Sequence, residues 1–471
     1  MAVLPQPPSL KQLEDRFGRA YKWIALIVVA LATIAAVLAT SSFNVAVPAL
    51  GRHFELAQDQ VQWAVTSFLA ALTVAMLPTP WLLDRFGFRR LFLSANLLFA
   101  LASVAGALAG DFAQVVLWRT VQGIAAGLLQ PLPLLVIMQL FPAGGQGKAQ
   151  GVLGFAIVLA PAVAPSFAGM LLDHYGWPAV FLMSLPPGIL ATLLGLFLLP
   201  RAKTGVQRPF DWIGVGILCA VSLLAIKFVA DLRQYGLLSP WTLAVLGLMM
   251  LCAFAFVRHA RSALAPIVSL ALFRDRCFSM GAVVGVIYGL GLYASTYLIP
   301  VFLQNALHYE ATYAGLALLP AGLVLAVSIP LAGVLTDRYS PRWITVIGMA
   351  VFGLSYLPFA IRGELITYWE VIVYSMIGRF GLGLTIPALT VATLSQVLPA
   401  YYGQASMVSN YTRQFGGALG VAVAAVFVEW RMAVHATESA GTFLAYGQAF
   451  VLMTLIFAVA IVAALRMKPH T

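Results

Sequence analysis

Fourteen long apolar runs divide the chain, and short polar or glycine- and proline-containing loops separate them. A helix that crosses a bilayer needs roughly 20 predominantly apolar residues, so these runs are predicted to be membrane spans. Six precede a polar break at residues 201–208, two shorter ones follow it, and six more complete the chain. The runs lie near 22–48, 61–83, 90–110, 114–141, 149–172, 178–199, 211–231, 238–257, 278–304, 314–336, 343–361, 369–397, 404–429 and 443–465.

Composition supports this pattern, because 62% of the 471 residues are hydrophobic and only 9% are charged. An ordinary soluble domain carries about 25% charged residues. A water-soluble globule is therefore excluded, and no segment between the runs is long enough to bury a core of its own. The predicted fold class is an all-α integral membrane protein. The three cysteines form no C-x-x-C pair, and no metal or cofactor is expected.

The net charge of +11 reflects topology and does not indicate nucleic acid. With a cytoplasmic N-terminus, the cytoplasmic segments hold 19 of the 27 lysines and arginines. The outer loops hold only Arg52, Arg233, Arg362 and Arg431. Because Lys and Arg are enriched on the cytoplasmic side, both termini are predicted to be cytoplasmic. The first apolar run is too long for a signal-peptide core, so it is interpreted as an uncleaved first helix.

Two loops of the same kind indicate an internal repeat. Asp84-Arg85 with Arg89-Arg90 follows the second run, and Asp337-Arg338 with Arg342 recurs 253 residues later. Duplicated halves around a midplane site are typical of secondary transporters. The predicted domains are a cytoplasmic segment 1–21, a six-helix bundle 22–200, a linker with two inserted helices 201–277, and a second six-helix bundle 278–471.

The loop after the second run resembles the signature loop of the major facilitator superfamily. The plan of six, two and six runs is similar to its fourteen-helix drug:proton antiporter branch, the multidrug efflux permease type. Further stretches that resemble that branch are Trp118–Gly123 with Gly127, Pro161–Gly169, Trp177–Phe181 with Pro186–Gly188, and Asn410–Gly417.

The resemblance implies a major facilitator fold of two six-helix bundles plus two inserted helices. It also implies a proton-coupled secondary transporter of the bacterial cytoplasmic membrane, which exports amphipathic or aromatic compounds by alternating access and is not an enzyme. Its expected partners are small-molecule substrates, protons and membrane lipid. A periplasmic adaptor protein is expected near Arg431, His435 and Glu438.

The paired loops suit a conformational latch, by which we mean a charge-assisted contact between helix ends that holds one access state. The alternative is that their arginines act only as topology signals. The predicted latch residues are Asp84, Arg85, Arg89, Arg90, Asp337, Arg338 and Arg342. In the first half Pro80 replaces the glycine of the family pattern, whereas Gly333 keeps it in the second half.

Charges inside the spans are the most informative candidates. Arg119, Arg379 and Arg413 lie within apolar runs, where a cation costs several kcal/mol unless a cavity or partner receives it. The branch that the chain resembles has an acid in helix 1, but Ala39 stands at that position. Two interpretations follow. Protons couple through a peripheral acid such as Asp173, modulated by Arg119, or an arginine-lined cavity makes the protein an exporter of organic anions.

A structural role for Arg379 and Arg413 is a third interpretation, in which Asn410, Gln414 and nearby carbonyls hold them. Polar and aromatic side chains that sit badly in lipid are the candidates for a substrate cavity, with packing or an interfacial aromatic belt as the alternative. These are Asn44, Trp63, Phe68, Gln122, Gln130, Tyr288, Tyr293, Tyr297, Gln304, Asn305, Tyr374 and Asn410. An intramembrane enzyme would need a clustered nucleophile, base or metal ligands, and a channel would not need two matched loops.

Overall fold

A computed structural model describes residues 9–56, 58–61, 63–200, 209–236, 239–436 and 440–467. Within these ranges the secondary structure consists of α-helices and short 3₁₀ turns, and there is no strand. The first eleven α-helices are α1 Leu10–Phe17, α2 Tyr21–Phe54, α3 Gln58–Val61, α4 Trp63–Ala75, α5 Thr79–Phe86, α6 Phe88–Ala107, α7 Phe112–Leu129, α8 Leu132–Leu140, α9 Gln146–Tyr175, α10 Pro178–Leu182 and α11 Leu185–Leu198. The others are α12 Trp212–Tyr235, α13 Pro240–Ser262, α14 Arg276–Asn305, α15 Ala311–Leu316, α16 Leu318–Arg338, α17 Pro341–Leu354, α18 Leu357–Arg362, α19 Tyr368–Leu394, α20 Tyr402–Val434 and α21 Gly441–Leu465.

Twelve helical segments of the described chain are long and apolar enough to cross a membrane. A thirteenth is obtained when α4 and α5, bent by 56° at their junction, count as one span. Pro78 lies at that junction and cannot donate a helical hydrogen bond, which accounts for the bend. The all-α membrane fold is confirmed, while the count of fourteen spans and the cytoplasmic termini stay predictions.

The first of two compact units comprises Met1–Pro142, Val152–Phe210 and Tyr402–Met407. Within it α4 and α7 are in backbone contact, because a Cβ at Gly123 would overlap the Phe68 carbonyl. Small residues at such positions allow membrane helices to approach closely. A hydrophobic core of this unit contains Phe43 of α2, whose ring meets the ring of Phe181 of α10 edge-on with centroids 5.0 Å apart.

The second unit comprises Ala143–Gly151, Asp211–Tyr401 and Val408–Thr471. Its helix α19 packs against both α16 and α17. Rings from α14, α17, α18 and α21 form an aromatic core, in which Phe352 and Phe457 meet edge-on at 4.7 Å. This core buries large aromatic side chains from four helices.

The two inserted helices, α12 and α13, pack against each other in the second unit. Asp211 caps the start of α12 and accepts hydrogen bonds from the Gly214 and Ile267 amides, with His259 Nε2 2.6 Å from its Oδ1. Burial opposes ionisation of this carboxyl, but the bonds from Gly214, His259 and Ile267 outweigh it and lower the pKa of Asp211 below its ordinary value. The polar break 201–208 lies outside the described residues.

Candidate functional site

Arg119 of α7 is the largest fully buried side chain of the described residues, with 1% exposure. Its Nε donates to the Ala64 carbonyl at 3.0 Å, and its Nη1 donates to the Ala39 carbonyl at 3.2 Å. The same Nη1 also donates to Gln122 Oε1 at 2.6 Å. Three helices of the first unit therefore supply oxygen acceptors to one guanidinium.

Two phenyl rings flank the Arg119 guanidinium. Its Cζ lies 4.1 Å from the centroid of Phe43 and 4.2 Å from that of Phe68. The negative faces of aromatic rings attract a desolvated cation by up to about 2 kcal/mol. Gln122 is fixed in turn, because its Nε2 donates to Ser103 at 2.7 Å. In the described part of the chain, no carboxylate pairs with Arg119, and its charge is compensated by carbonyls, an amide and rings.

The second Asp-Arg loop makes a specific contact within the second unit. The Asp337 carboxylate, at the end of α16, accepts from the backbone amides of Gly147 and Lys148, each at 2.9 Å. These amides belong to the second and third residues of α9, and no carbonyl of that helix can satisfy them. A carboxylate is favoured at that positive end of the helix dipole. The contact is thus a charge-assisted cap provided by a residue 190 positions away.

Glycines bring α9 and α16 together beside that cap. A Cβ built on Gly333 would lie 2.5 Å from the Gly147 carbonyl oxygen, and one built on Gly147 would lie 2.6 Å from the Gly333 carbonyl oxygen. No larger residue fits on either side without moving a helix. The Asp337 cap therefore depends on a backbone approach that only glycine permits.

The first Asp-Arg loop is arranged differently. Arg89 Nη2 donates to the Leu196 carbonyl at the end of α11, at 2.6 Å, and Arg85 lies over the Trp81 ring at 5.2 Å. Asp84 and Arg90 are exposed. In the second loop Arg342 lies over Trp343 at 5.2 Å, and Arg338 is exposed at the end of α16.

A second group of polar side chains lies on α14, α19 and α20. Arg379 Nη2 donates to Thr296 Oγ1 at 3.0 Å, and Arg413 Nη2 donates to Asn410 Oδ1 at 2.7 Å. Gly289, the neighbour of Tyr288, lies against the Arg413 backbone carbonyl, so α14 and α20 meet beside Tyr288. The Tyr288 hydroxyl has no hydrogen-bond partner in the described residues, although Tyr288 is 1% exposed. The group combines two cations with an unused donor.

Other predicted cavity residues lie on helices α14 and α19 of the same unit. Tyr293 is 41% exposed and donates from its hydroxyl to Gln414 at 3.2 Å, while Asn305 donates to the Tyr446 hydroxyl at 3.2 Å. Tyr374 packs against Phe359 with centroids 6.0 Å apart. Tyr297 is half-buried on the same helix as Tyr293.

The remaining predicted cavity residues are scattered. Gln304 donates to the Pro300 carbonyl of its own helix at 3.3 Å. Gln130 is half-buried at the end of α7, and Trp63 is 62% exposed. The side chain of Asn44 lies outside the described part of the structure.

The acids differ in environment. Asp173, the predicted proton-coupling residue, is exposed near the end of α9. Asp231 of α12 is 4% exposed, and its Oδ1 lies 3.0 Å from Lys227 Nζ. Its Oδ2 has no hydrogen-bond partner among the described residues. Sequence reasoning missed this pair, although the spacing of four residues within one predicted helix was a usable signal.

Comparison with known families and proteins agrees with these features. The family model described as Major Facilitator Superfamily matches residues 29–421 and 281–471. The multidrug export protein EmrB of Haemophilus influenzae is 28% identical over 417 residues, 88% of this chain and 81% of the relative. EmrB of Escherichia coli is 26% identical over 438 residues, 89% and 83% of the two chains. A multidrug resistance protein B homolog of Mycobacterium tuberculosis is 27% identical over 408 residues, 85% and 75% of the two chains.

Solved structures share the fold. The proton:xylose symporter XylE, bound to 6-bromo-6-deoxy-D-glucose, superposes with a TM-score of 0.65 at 16% identity, covering 93% of this chain and 95% of that one. The human organic anion transporter MFSD10 has a TM-score of 0.62 at 16% identity, covering 93% and 99%. At this identity the likeness extends to the fold alone.

Proposed function

Because the chain belongs to the major facilitator superfamily and is a multi-pass membrane transporter, we propose that it exports amphipathic or aromatic compounds in exchange for protons. The relatives named as multidrug export proteins support the direction and the breadth of substrates. The proposed location is the bacterial cytoplasmic membrane. Two six-helix bundles, 22–200 and 278–471, with a linker of two inserted helices at 201–277, are the proposed moving parts.

The observation that carries alternating access is the Asp337 cap on α9. Its two bonds, to Gly147 and Lys148, join the end of one long helix to the start of another. Such a contact stabilises one conformation and must be released for the other, so it sets the equilibrium between access states. We assign the same role to Asp84, Arg85, Arg89 and Arg90 in the first half.

Proton coupling requires a carboxylate whose protonation depends on conformation. The helix 1 position that would hold one is Ala39, which leaves acids near helix ends. Asp173 is the proposed residue from the sequence, and the burial of Asp231 beside Lys227 makes it a second candidate. The chain has no phosphate-binding loop, so an ion gradient is the expected energy source.

An organic-anion exporter is the second candidate function. The observation in its favour is the placement of Arg379 and Arg413 in spans whose interiors contain no acid. In either case aromatic residues such as Tyr288, Tyr293 and Tyr297 suit the body of the substrate.

A periplasmic adaptor stays a proposal. Arg431 donates to Gln448 and contacts His435 Nε2 at 2.8 Å, so this end of α20 is tied to α21. Glu438, the third predicted contact, lies outside the described residues.

The deciding experiment uses purified protein in liposomes under an imposed pH gradient. An internal pH-sensitive dye reports proton movement while organic cations, neutral dyes and organic anions are offered in turn. Proton movement that requires cations or neutral dyes supports drug:proton antiport. Transport of anions without proton movement supports the second candidate, and the absence of any substrate-dependent flux would contradict both.

A further inference from the structure

The interior of the last six helices carries positive charge without acid. The sequence has no Asp or Glu between Asp275 and Glu310, or between Glu370 and Glu429. Arg379 and Arg413 lie within this acid-free interval, and neither meets a carboxylate among the described residues. Each desolvated cation costs several kcal/mol at membrane depth unless a partner receives it. A neutral hydroxyl and a neutral amide, from Thr296 and Asn410, are the partners that the structure gives them.

All three groups lie well inside their helices. Arg379 and Arg413 are each the twelfth residue of their helix, and Tyr288 is the thirteenth of α14. At 1.5 Å per residue each lies about 16–18 Å from the start of its own helix, inside a predicted span.

The backbones bring these helices close together. A Cβ at Gly289, next to Tyr288, would overlap the Arg413 carbonyl, so α14 and α20 touch at this level. Thr296 links α14 to Arg379 of α19. The phenol of Tyr288 therefore lies on the helix that contacts both arginine-bearing helices.

Two features point to a ligand. The Tyr288 hydroxyl is buried and has no hydrogen-bond partner in the described part of the chain, and a buried donor left unused is unfavourable. Arg413 is half-buried and Tyr293 is 41% exposed, so both keep accessible surface in this unit. An acceptor with negative charge suits a phenol hydroxyl and guanidinium groups.

We propose that Arg379, Arg413 and Tyr288 form a binding site for the carboxylate of an aromatic organic anion, whose ring lies against Tyr293. A carboxylate has two oxygens that accept several hydrogen bonds at once, which matches two guanidinium groups and a phenol. This site rests on the proposed export function and names the class of substrate that it favours.

Arg119 does not share this role. Its guanidinium is enclosed at 1% exposure, bonded to Ala39, Ala64 and Gln122, and covered on both faces by rings. An anion would have to displace Phe43 or Phe68 to reach it. Arg119 Nη2 also lacks a hydrogen-bond partner among the described residues, but no neighbour of Arg119 on the described helices offers exposed surface comparable to that of Arg413 and Tyr293 in the second unit.

The test compares three ligands with one aromatic body and different charge: 2-naphthoate, its neutral amide, and 2-naphthylmethylammonium. Binding to the purified full-length protein in lipid nanodiscs is measured by calorimetry. We expect the carboxylate to bind at least tenfold more tightly than the amide and the cation to bind most weakly. Equal affinity for the carboxylate and the amide in the wild-type protein would overturn the site.

Single substitutions test which side chains bind the carboxylate. Arg413→Gln and Arg379→Gln should each weaken 2-naphthoate binding at least tenfold and change amide binding less than twofold. Tyr288→Phe removes only the hydroxyl, so it keeps the packing and should weaken the carboxylate three- to tenfold. Arg362→Gln, a change of the same kind at an exposed helix end, should leave all three affinities unchanged. Equal losses for the carboxylate and the amide would assign the arginines a structural role and reject the site.

The binding and transport measurements distinguish failure of the proposed site from failure of the proposed export function. Charge-selective binding without substrate-driven flux in liposomes would keep the site and remove the export function. Flux of cations and neutral dyes with no preference for the carboxylate would keep export and remove the site.

Discussion

Arg119 donates a hydrogen bond to the backbone carbonyl of Ala39, at 3.2 Å, where the branch that the chain resembles has a carboxylate. The dipole of the Ala39 carbonyl accepts this hydrogen bond, in place of a charged carboxylate. A backbone carbonyl cannot gain or lose a proton, so Ala39 supplies no proton-exchanging group at this contact. The pair Arg119 and Ala39 is therefore a fixed joint, by which we mean a contact without a titratable acceptor, and the proposed proton coupling would need a carboxylate elsewhere.

The shape of the Arg119 side chain explains its role, and Arg119→Lys tests it. Lysine has no planar fork to reach Ala39, Ala64 and Gln122 together, and it stacks poorly between Phe43 and Phe68. We expect a loss of about 2–4 kcal/mol from the missing charge-assisted bonds and ring contacts. Thermal denaturation of the detergent-solubilised protein measures it.

Arg362→Lys is the control, because Arg362 pairs with Glu370 at an exposed position and such pairs contribute about 1 kcal/mol or less. If Arg119→Lys and the control have the same denaturation midpoint, the contacts of Arg119 do not stabilise the fold.

The Asp337 cap predicts the effect of Asp337→Asn. An amide keeps one acceptor but loses the negative charge and faces an N–H of α9 with its own NH₂ group. The contact should weaken by about 1–2 kcal/mol. We expect substrate export from liposomes to fall about tenfold with normal membrane insertion.

Asp84→Asn should abolish export as well if the first loop serves as a latch. Glu364→Gln, in an exposed turn of the second unit, should leave the rate unchanged. Export at the wild-type rate by Asp337→Asn would show that the cap does not set the conformational equilibrium.

The approach of α9 to α16 can be tested on one helix with two glycines. Gly333→Ala places a Cβ 2.5 Å from the Gly147 carbonyl oxygen, so the helices must separate and the Asp337 bonds must lengthen. Gly322→Ala, on the same helix, meets nothing within 4 Å and should add about 1 kcal/mol of helix propensity. Export should fall at least tenfold in the first variant and stay within twofold in the second. Equal export rates would mean that the close approach is dispensable.

The apolar runs of the sequence predict the all-α membrane fold correctly. The spacing of three residues also places Asn410 beside Arg413, and the two side chains meet on α20. Local spacing suffices for these features. It does not identify the acceptors of Arg119, because every residue has a carbonyl and the side-chain pattern says nothing about which one is near. The partner of Asp337 lies 190 residues away, so only the fold reveals it.

The question of proton coupling reduces to a comparison of Asp231 and Asp173. Asp231 is 4% exposed and its Oδ1 lies 3.0 Å from Lys227 Nζ, whereas Asp173 is exposed to solvent. A buried carboxylate with one cationic partner is the better placed of the two to respond to a movement of its helix. We therefore expect Asp231→Asn to lose substrate-driven proton movement in liposomes while it still exchanges substrate down a gradient. Asp173→Asn should keep proton movement within twofold. If Asp173→Asn alone uncouples transport, the peripheral acid is the carrier, and the Lys227–Asp231 pair only fixes α12 in place.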